Sequence, residues 1–208
     1  VKDPTPSRED YYRALAESLA EDALVVTSLG NASYLWACLR DRPENFYVED
    51  AMGLALPLAL GLAVAQPRRK VVVTEGDGGL LMHLGALVTV GAVGPANLTI
   101  LLIQNGVHAA SGGQAVTNPH LDLADLARAA GLRQAENVRS VQEFRRTLPS
   151  MIQGEGPALL ALVTEPDVEV VEPPYPLNPV VVKQRFMDAL GVPRYVPTTF
   201  GKGRLVEA

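Results

Sequence analysis

The chain has 208 residues, 48% of them hydrophobic, with 23 acidic against 18 Lys and Arg side chains. That length and apolar content suit one domain with a sizeable core, and a net charge of −5 argues against sequence-independent nucleic-acid binding, which needs clustered Lys and Arg. A single cysteine excludes an internal disulfide and any four-cysteine metal or iron–sulfur site; no apolar run reaches the roughly 18 residues of a membrane span. The opening VKDPTPSRED lacks the apolar region of a signal peptide, so a soluble, cytoplasmic protein without membrane partners is expected. Cys38 reads as a buried structural residue.

In chain order, Ser7 opens a helix expected over 7–21, with Leu15 and Leu19 on one face. Residues 23–27 read as a short buried strand, 31–39 as a helix, and 45–49 (NFYVE) as another short strand. A helix of small residues spans 53–65 and ends before Pro67; the basic run at 68–70 that follows is a solvated turn. Residues 71–74 form a strand, and Leu80, Leu84 and Leu87 predict a helix from 80 to about 90. The clearest buried strand is 97–103, followed by a long glycine-bearing loop over 105–120. Helices are expected at 121–130 and 141–152, a strand at 158–163 and a last helix at 181–190. Residues 1–165 are therefore read as one domain, and 166–208 as a Pro-rich tail whose C-terminal helix packs on it. No internal repeat is visible. Continuous apolar strands alternating with helices predict an α/β, doubly wound, mostly parallel sheet with helices on both faces. Ligands of such sheets bind beyond the carboxyl ends of the strands.

One such end carries Gly76-Asp77-Gly78-Gly79. It is not a P-loop, because no Gly-Lys-Ser/Thr follows. It is not a dinucleotide fingerprint either: Leu81 stands where a small residue must pack against the strand. The glycines suit a phosphate cradle, yet Asp77 opposes one. A carboxylate about 4 Å from a phosphate oxygen costs roughly 4 kcal/mol at an effective dielectric near 20. A divalent cation between them reverses that sign, so the site is expected to hold metal and phosphate together. A cation of the Mg²⁺ type wants oxygen ligands, often a carboxylate plus substrate phosphates. Asn105, directly after the next strand, offers a second oxygen, and Gly106 permits a turn that aims the Val107 carbonyl at the same ion. Taken alone, Gly76, Gly78 and Gly79 fit a tight turn equally well.

Gly76-Asp77-Gly78, a spacer, then Asn105 resembles the thiamine-diphosphate motif. The preceding AMGLALPLALGLAVAQPRRKVVVTEGDG is similar to the same segment in thiamine-diphosphate 2-oxo-acid decarboxylases and synthases. GDGGLLMHLGALVTVG, QNGVHAASGGQAVT and the terminal FMDAL resemble the sulfopyruvate and phosphonopyruvate decarboxylases, over residues 21–190. The resemblance implies a thiamine-diphosphate-binding fold of the diphosphate-binding half, in the manner of a sulfopyruvate decarboxylase β subunit. Asp77, Asn105 and the Val107 carbonyl would bind Mg²⁺. Gly76, Gly78 and Gly79 would meet the diphosphate, Met52 would wedge the cofactor into its V shape, and the Asp50 carbonyl would meet its aminopyrimidine. The activating glutamate would come from a pyrimidine-binding α-type subunit, within a hetero-oligomer in which 52–63 is partly an interface helix and this chain forms at least a dimer with itself.

Other residues carry two readings. Gly30, Asn31 and Ser33 either bind the diphosphate or cap the following helix. His108 is a candidate proton donor to the substrate-derived carbon, or a loop or interface histidine. His83, on a leucine-rich helix face, reads as a hydrogen-bonded structural residue, and Gly112-Gly113-Gln114 as a mobile loop or a plain turn. Two departures bear on the 2-oxo-acid substrate: Tyr34 stands where relatives usually carry Arg, and VEDAMG adds Glu49 and Asp50 near the cofactor. The alternatives to a Mg²⁺-dependent carboxy-lyase are the β subunit of a 2-oxo-acid oxidoreductase and a non-catalytic assembly partner that keeps the fold.

Overall fold

Three consecutive valines need two apolar faces, because successive side chains on a strand point in opposite directions. The computed structural model, which describes residues 4–192, 194–197 and 203–206, supplies both. Strand β3 (Val71–Gly76) lies inside a six-stranded sheet with β1 (Leu24–Thr27), β2 (Asn45–Tyr47), β4 (Leu98–Gln104), β7 (Gln134–Val138) and β8 (Ala158–Val163). The order is β2-β1-β3-β4-β8-β7, and every pairing is parallel. Val71 and Val73 join Leu24, Val26, Leu98 and Ile100 beneath α3 (Ala55–Ala65), α5 (Gly85–Val93) and α6 (Leu123–Ala129). Val72 joins Val25, Leu101 and Ile103 on the other face, beneath α1 (Arg8–Ser18), α2 (Asn31–Arg40) and α7 (Val141–Gln153). The chain is thus an α/β, doubly wound protein. From β1 it moves outward to β2 and then returns to the other side of β1 with β3, so the order reverses between β1 and β3. Crevices for ligands open at such reversals.

Several elements depart from the sequence reading for local reasons. The first helix begins as expected, with Ser7 and Asp10 forming a reciprocal capping box, but ends at Ser18. The Arg42 guanidinium donates to the carbonyls of Ala20, Glu21 and Ala23 and so holds the turn that follows the helix. The helix expected from 80 to about 90 is two helices. The first, α4 (Asp77–Met82), starts at Asp77 itself, and the break falls at His83 before α5. There the His83 Nδ1 lies 3.2 Å from the Gly53 carbonyl, the structural contact expected of it. Strand β7 was not foreseen because it is an edge strand, with a polar QAENV sequence.

The loop 105–120 contains a small hairpin, β5 (Val107–His108) against β6 (Gln114–Ala115), so Gln114 is part of a strand. Cys38 is exposed rather than buried: it falls on the outer edge of α2, whose inner face is Ala32, Leu35 and Trp36. In the tail, α8 (Pro179–Ala189) sets Phe186 edge-on to Phe46 at 5.4 Å, and β9 (Arg194–Pro197) pairs with β10 (Gly203–Val206). The tail positions 193, 198–202 and 207–208 lie outside the described residues, as do 1–3.

Helix α5 packs closely enough on the α6–β7 turn that a Cβ on Gly91 would stand 1.8 Å from the Ala130 carbonyl oxygen. Gly91→Ala is expected to lower unfolding free energy by about 1–3 kcal/mol or more, since backbone must move. Gly61→Ala, in α3 with open space around it, is expected to be neutral or stabilising by up to about 1 kcal/mol. Urea unfolding of the two variants checks the contrast.

Candidate functional site

At the β1/β3 reversal, a cleft is lined from the β1 side by Ser28, Leu29, Asn31 and Ala32 and from the β3 side by Glu75, Gly76, Asp77, Gly78 and Gly79. The register pairs Gly76 with Ile103, so Asp77 and Asn105 leave neighbouring strands at nearly the same level. Asp77 is 2% exposed. Its Oδ1 accepts from the Gly78 N–H at 2.8 Å and its Oδ2 from the Gly106 N–H at 2.9 Å, which ties the turn after β3 to the turn after β4. Burial pushes its carboxyl above the usual carboxylate range, against the pull of those two N–H donors and of nearby His108. Each oxygen keeps a lone pair free of these bonds. Asn105, also buried, lines the cleft and accepts from the Val107 N–H at 3.2 Å; Val107 lines it too.

Those donors are all oxygens: a carboxylate, an amide and a carbonyl. Among the described residues no group of three or more His, Cys, Asp or Glu converges to hold a metal. A cation seated on Asp77 therefore needs further oxygens from outside the protein, which is how Mg²⁺ shares a site with phosphates. The glycines leave the room. A Cβ on Gly78 would stand 2.5 Å from Cε1 of His108, and one on Gly79 would stand 2.5 Å from Oε1 of Glu75. His108 thus lies against the turn, on the cleft wall beside Asp77.

Met52 lines the same cleft, half-buried. The segment before it contains Asp50, whose φ of 53° is the one positive value for a non-glycine residue among those described. Backbone strain of this kind persists where the surroundings fix it. Gly53, at φ 78°, brings the chain so near α4 that a Cβ would stand 2.6 Å from the Gly79 carbonyl oxygen. Around this segment Glu49 and Asp50 face Tyr34, and both acids push its phenol upward, after burial. Glu49 is itself raised, first by burial and then by Asp50.

The structure brings Asn31, Met52, Gly76, Asp77, Gly78, Gly79, Asn105, Val107 and His108 together around one cleft. Gly30, Ser33 and Asp50 are not on its wall. Gly30 is the N-cap of α2 at φ 69°, and Ser33 is fully buried, bonded to Thr27 Oγ1 and the Ser28 carbonyl. Asn31 lines the cleft while its amide is engaged with the tail: Nδ2 donates to the Glu169 carbonyl at 2.6 Å, and Oδ1 accepts from the Val171 N–H at 3.0 Å.

Sequence reasoning missed Glu75. Only 2% exposed, it accepts from the Gly76 N–H at 3.0 Å and from the backbone N–H groups of Ala55 and Leu56, the first turn of α3. It therefore pins the Met52–Gly53 segment to the turn that holds Asp77. Burial pushes its carboxyl up to about 7, and its Oε2 has no hydrogen-bond partner. The available signal was an acidic residue closing an otherwise apolar strand, VVVTE, two residues before Asp77.

The fold and cleft define a class: doubly wound α/β domains with an oxygen-lined ligand crevice at the strand reversal. The family model described as thiamine pyrophosphate enzyme, C-terminal TPP binding domain, matches residues 29–162, and the chain belongs to that family. It is 39% identical to a phosphonopyruvate decarboxylase of Streptomyces viridochromogenes, over 77% of this chain and 40% of that protein. It is 33% identical to the sulfopyruvate decarboxylase subunit beta of Methanocaldococcus jannaschii, over 89% of this chain and 97% of that subunit. The solved thiamine diphosphate-dependent 4-hydroxybenzoylformate decarboxylase of Rhodococcus jostii RHA1 shares the fold, with a TM-score of 0.69 at 21% identity over 81% of this chain and 34% of that one. The chain spans about two fifths of the length of the phosphonopyruvate decarboxylases it matches.

Glu75→Ala strands the Ala55 and Leu56 N–H groups inside the protein and is expected to cost about 1–3 kcal/mol. Glu75→Gln keeps an acceptor there and is expected to retain most of the stability. Denaturant unfolding of both variants at neutral pH checks the difference.

Proposed function

We propose that the chain is the diphosphate-binding, β-type subunit of a thiamine-diphosphate- and Mg²⁺-dependent 2-oxo-acid decarboxylase, similar to the sulfopyruvate and phosphonopyruvate enzymes. The observation that carries the reading is the convergence of Asp77, Asn105 and Met52 on one cleft at the strand reversal. The residues fit the group. Oxygen donors on a buried carboxylate and a neighbouring amide, with open space beside Gly76, are what a metal-bridged diphosphate requires.

In this reading Asp77, the Asn105 side chain and the Val107 carbonyl hold Mg²⁺, while Gly76, Gly78 and Gly79 let the backbone approach the diphosphate. Thiamine diphosphate, once bound, supplies the electron sink that decarboxylation of a 2-oxo acid needs. Met52 would support the cofactor, the Asp50 carbonyl would receive its amino group, and Asn31 would border the diphosphate, with Gly30 and Ser33 acting only through the turn that leads into α2. His108 delivers a proton to the product carbon from its place beside Asp77. Glu75 acts from behind, by fixing where Met52 stands. Assembly is supported by relatives named as a subunit beta and by the exposed Leu54, Leu58 and Met82 beside the cleft segment. A pyrimidine-binding chain bearing the activating glutamate covers that surface, and this chain pairs with itself in the assembly. A cytoplasmic location accords with a lone thiol that has no disulfide partner in the chain.

Asp77→Ala is expected to abolish Mg²⁺-dependent retention of thiamine diphosphate by the assembled enzyme, measured after gel filtration. Unchanged retention overturns the metal assignment. With the partner chain added, CO₂ release from a 2-oxo acid is expected without an electron acceptor. Acyl transfer to coenzyme A with dye reduction would instead favour the oxidoreductase reading.

A further inference from the structure

The cleft has one more polar wall, from a part of the chain outside the matched family segment 29–162. Arg8, the first residue of α1, lines it together with Asp77, Asn105 and Gly76. The residue is 8% exposed, and its Nε is buried without a hydrogen-bond partner. The nearest acid is Asp167 of the tail, with Oδ2 at 3.3 Å from that Nε. A buried guanidinium is costly unless its donors are used, since both its charge and its N–H groups have left water. Asp167 is itself shared, because its Oδ1 accepts from Asn31 Nδ2 at 3.3 Å. The ion pair therefore offsets the charge of Arg8 at Nε without completing a hydrogen bond there, and the residue also lines the cleft.

We propose that Arg8 is a further diphosphate-binding residue, its guanidinium reaching the phosphate oxygens of the cofactor from the α1 side of the cleft. This rests on the thiamine-diphosphate reading above. The electrostatics require such a group. A diphosphate brings more negative charge than one divalent cation cancels, and Asp77 adds another negative charge to the same small space. A guanidinium matches phosphate oxygens with parallel N–H donors and is weakly hydrated, which suits it to a buried site. Asp167 and Asn31 hold the tail and α1 in the register that presents it, helped by the Glu165 N–H on the Pro6 carbonyl at 3.2 Å. The bland reading is a clamp, in which Arg8 only fastens α1 to the tail through Asp167.

Titration calorimetry of the chain assembled with its pyrimidine-binding partner, using inorganic pyrophosphate in excess Mg²⁺, thiamine diphosphate and thiamine, separates the two. Arg8→Met is expected to weaken pyrophosphate and thiamine diphosphate binding by about 10- to 100-fold, the worth of one charge-assisted hydrogen-bonded contact, and to leave thiamine unchanged. Arg8→Lys is expected to lose several-fold, since it keeps the charge without the fork. A clamp gives a lower melting temperature without ligand and unchanged affinity for either diphosphate, and that result overturns the proposal. If Arg8→Met does not fold, Arg8→Lys decides: wild-type affinity overturns the contact, a several-fold loss supports it. If the assembled wild-type enzyme itself shows no Mg²⁺-dependent binding, the diphosphate site falls and Arg8 falls with it. Wild-type binding that Asp77→Ala abolishes and Arg8→Met leaves intact overturns the Arg8 contact alone.

Discussion

The Asp77 carboxylate spans two turns, and the cleft depends on that span. One oxygen is held by the N–H beside it, the other by the Gly106 N–H at the end of the neighbouring strand. Parallel strands put consecutive carboxyl ends side by side, but nothing in a sheet fixes the loops that leave them. Asp77 fixes two at once. It does so as a buried anion, and the upward push on its carboxyl measures what burial costs the charged form. An arrangement that keeps an anion in place with only two neutral donors is one in which a cation has most to gain. Structure and ligand chemistry meet at this point: the group that joins the loops is also the group a metal would seek.

Much of this was legible in the sequence because it depends on short-range grammar. Val71-Val72-Val73 and the 97–103 run are too apolar for a half-exposed strand, so a sheet covered on both faces followed directly. The misfit of a carboxylate in a phosphate turn pointed to a cation before any relative was considered. What stayed hidden depends on contacts far apart in sequence. The turn after α1 is held by Arg42, the break at His83 coincides with a contact to Gly53, and the exposure of Cys38 follows from which side of α2 meets the sheet. Leu80, Leu84 and Leu87 keep helical spacing across a broken helix, so periodicity alone reads them as one. Arg8 was illegible for the same reason. At the start of a helix it looks like any solvated cation, and only the fold carries it to the carboxyl edge of the sheet.

Glu75 and Asp77 divide labour across a single glycine. Asp77 faces forward, to the next loop and the cleft. Glu75 faces back, to the first turn of α3, the helix that follows the Met52 segment. Gly79 makes the second contact possible, because any side chain there would occupy the space of the Glu75 carboxylate. The glycines of the motif therefore serve two neighbours: Gly78 yields to His108 on the cleft side, and Gly79 yields to Glu75 on the core side. A phosphate cradle alone would explain neither clearance. The spacing of the motif is as much a packing constraint among protein groups as a provision for ligand.

Charge is distributed unevenly around the cleft. The Arg8 guanidinium belongs to its wall, whereas Glu49, Asp50 and the phenol of Tyr34 lie off that wall, near the segment that bears Met52, each acid raising the phenol. An anionic group is favoured beside Arg8 and disfavoured beside the two acids. In the proposed enzyme the diphosphate lies on the Arg8 side. For that proposed enzyme, the one guanidinium on the described cleft wall goes to the cofactor's diphosphate, and the two acids near Met52 would disfavour a doubly charged 2-oxo acid unless positive charge reached it from outside this chain.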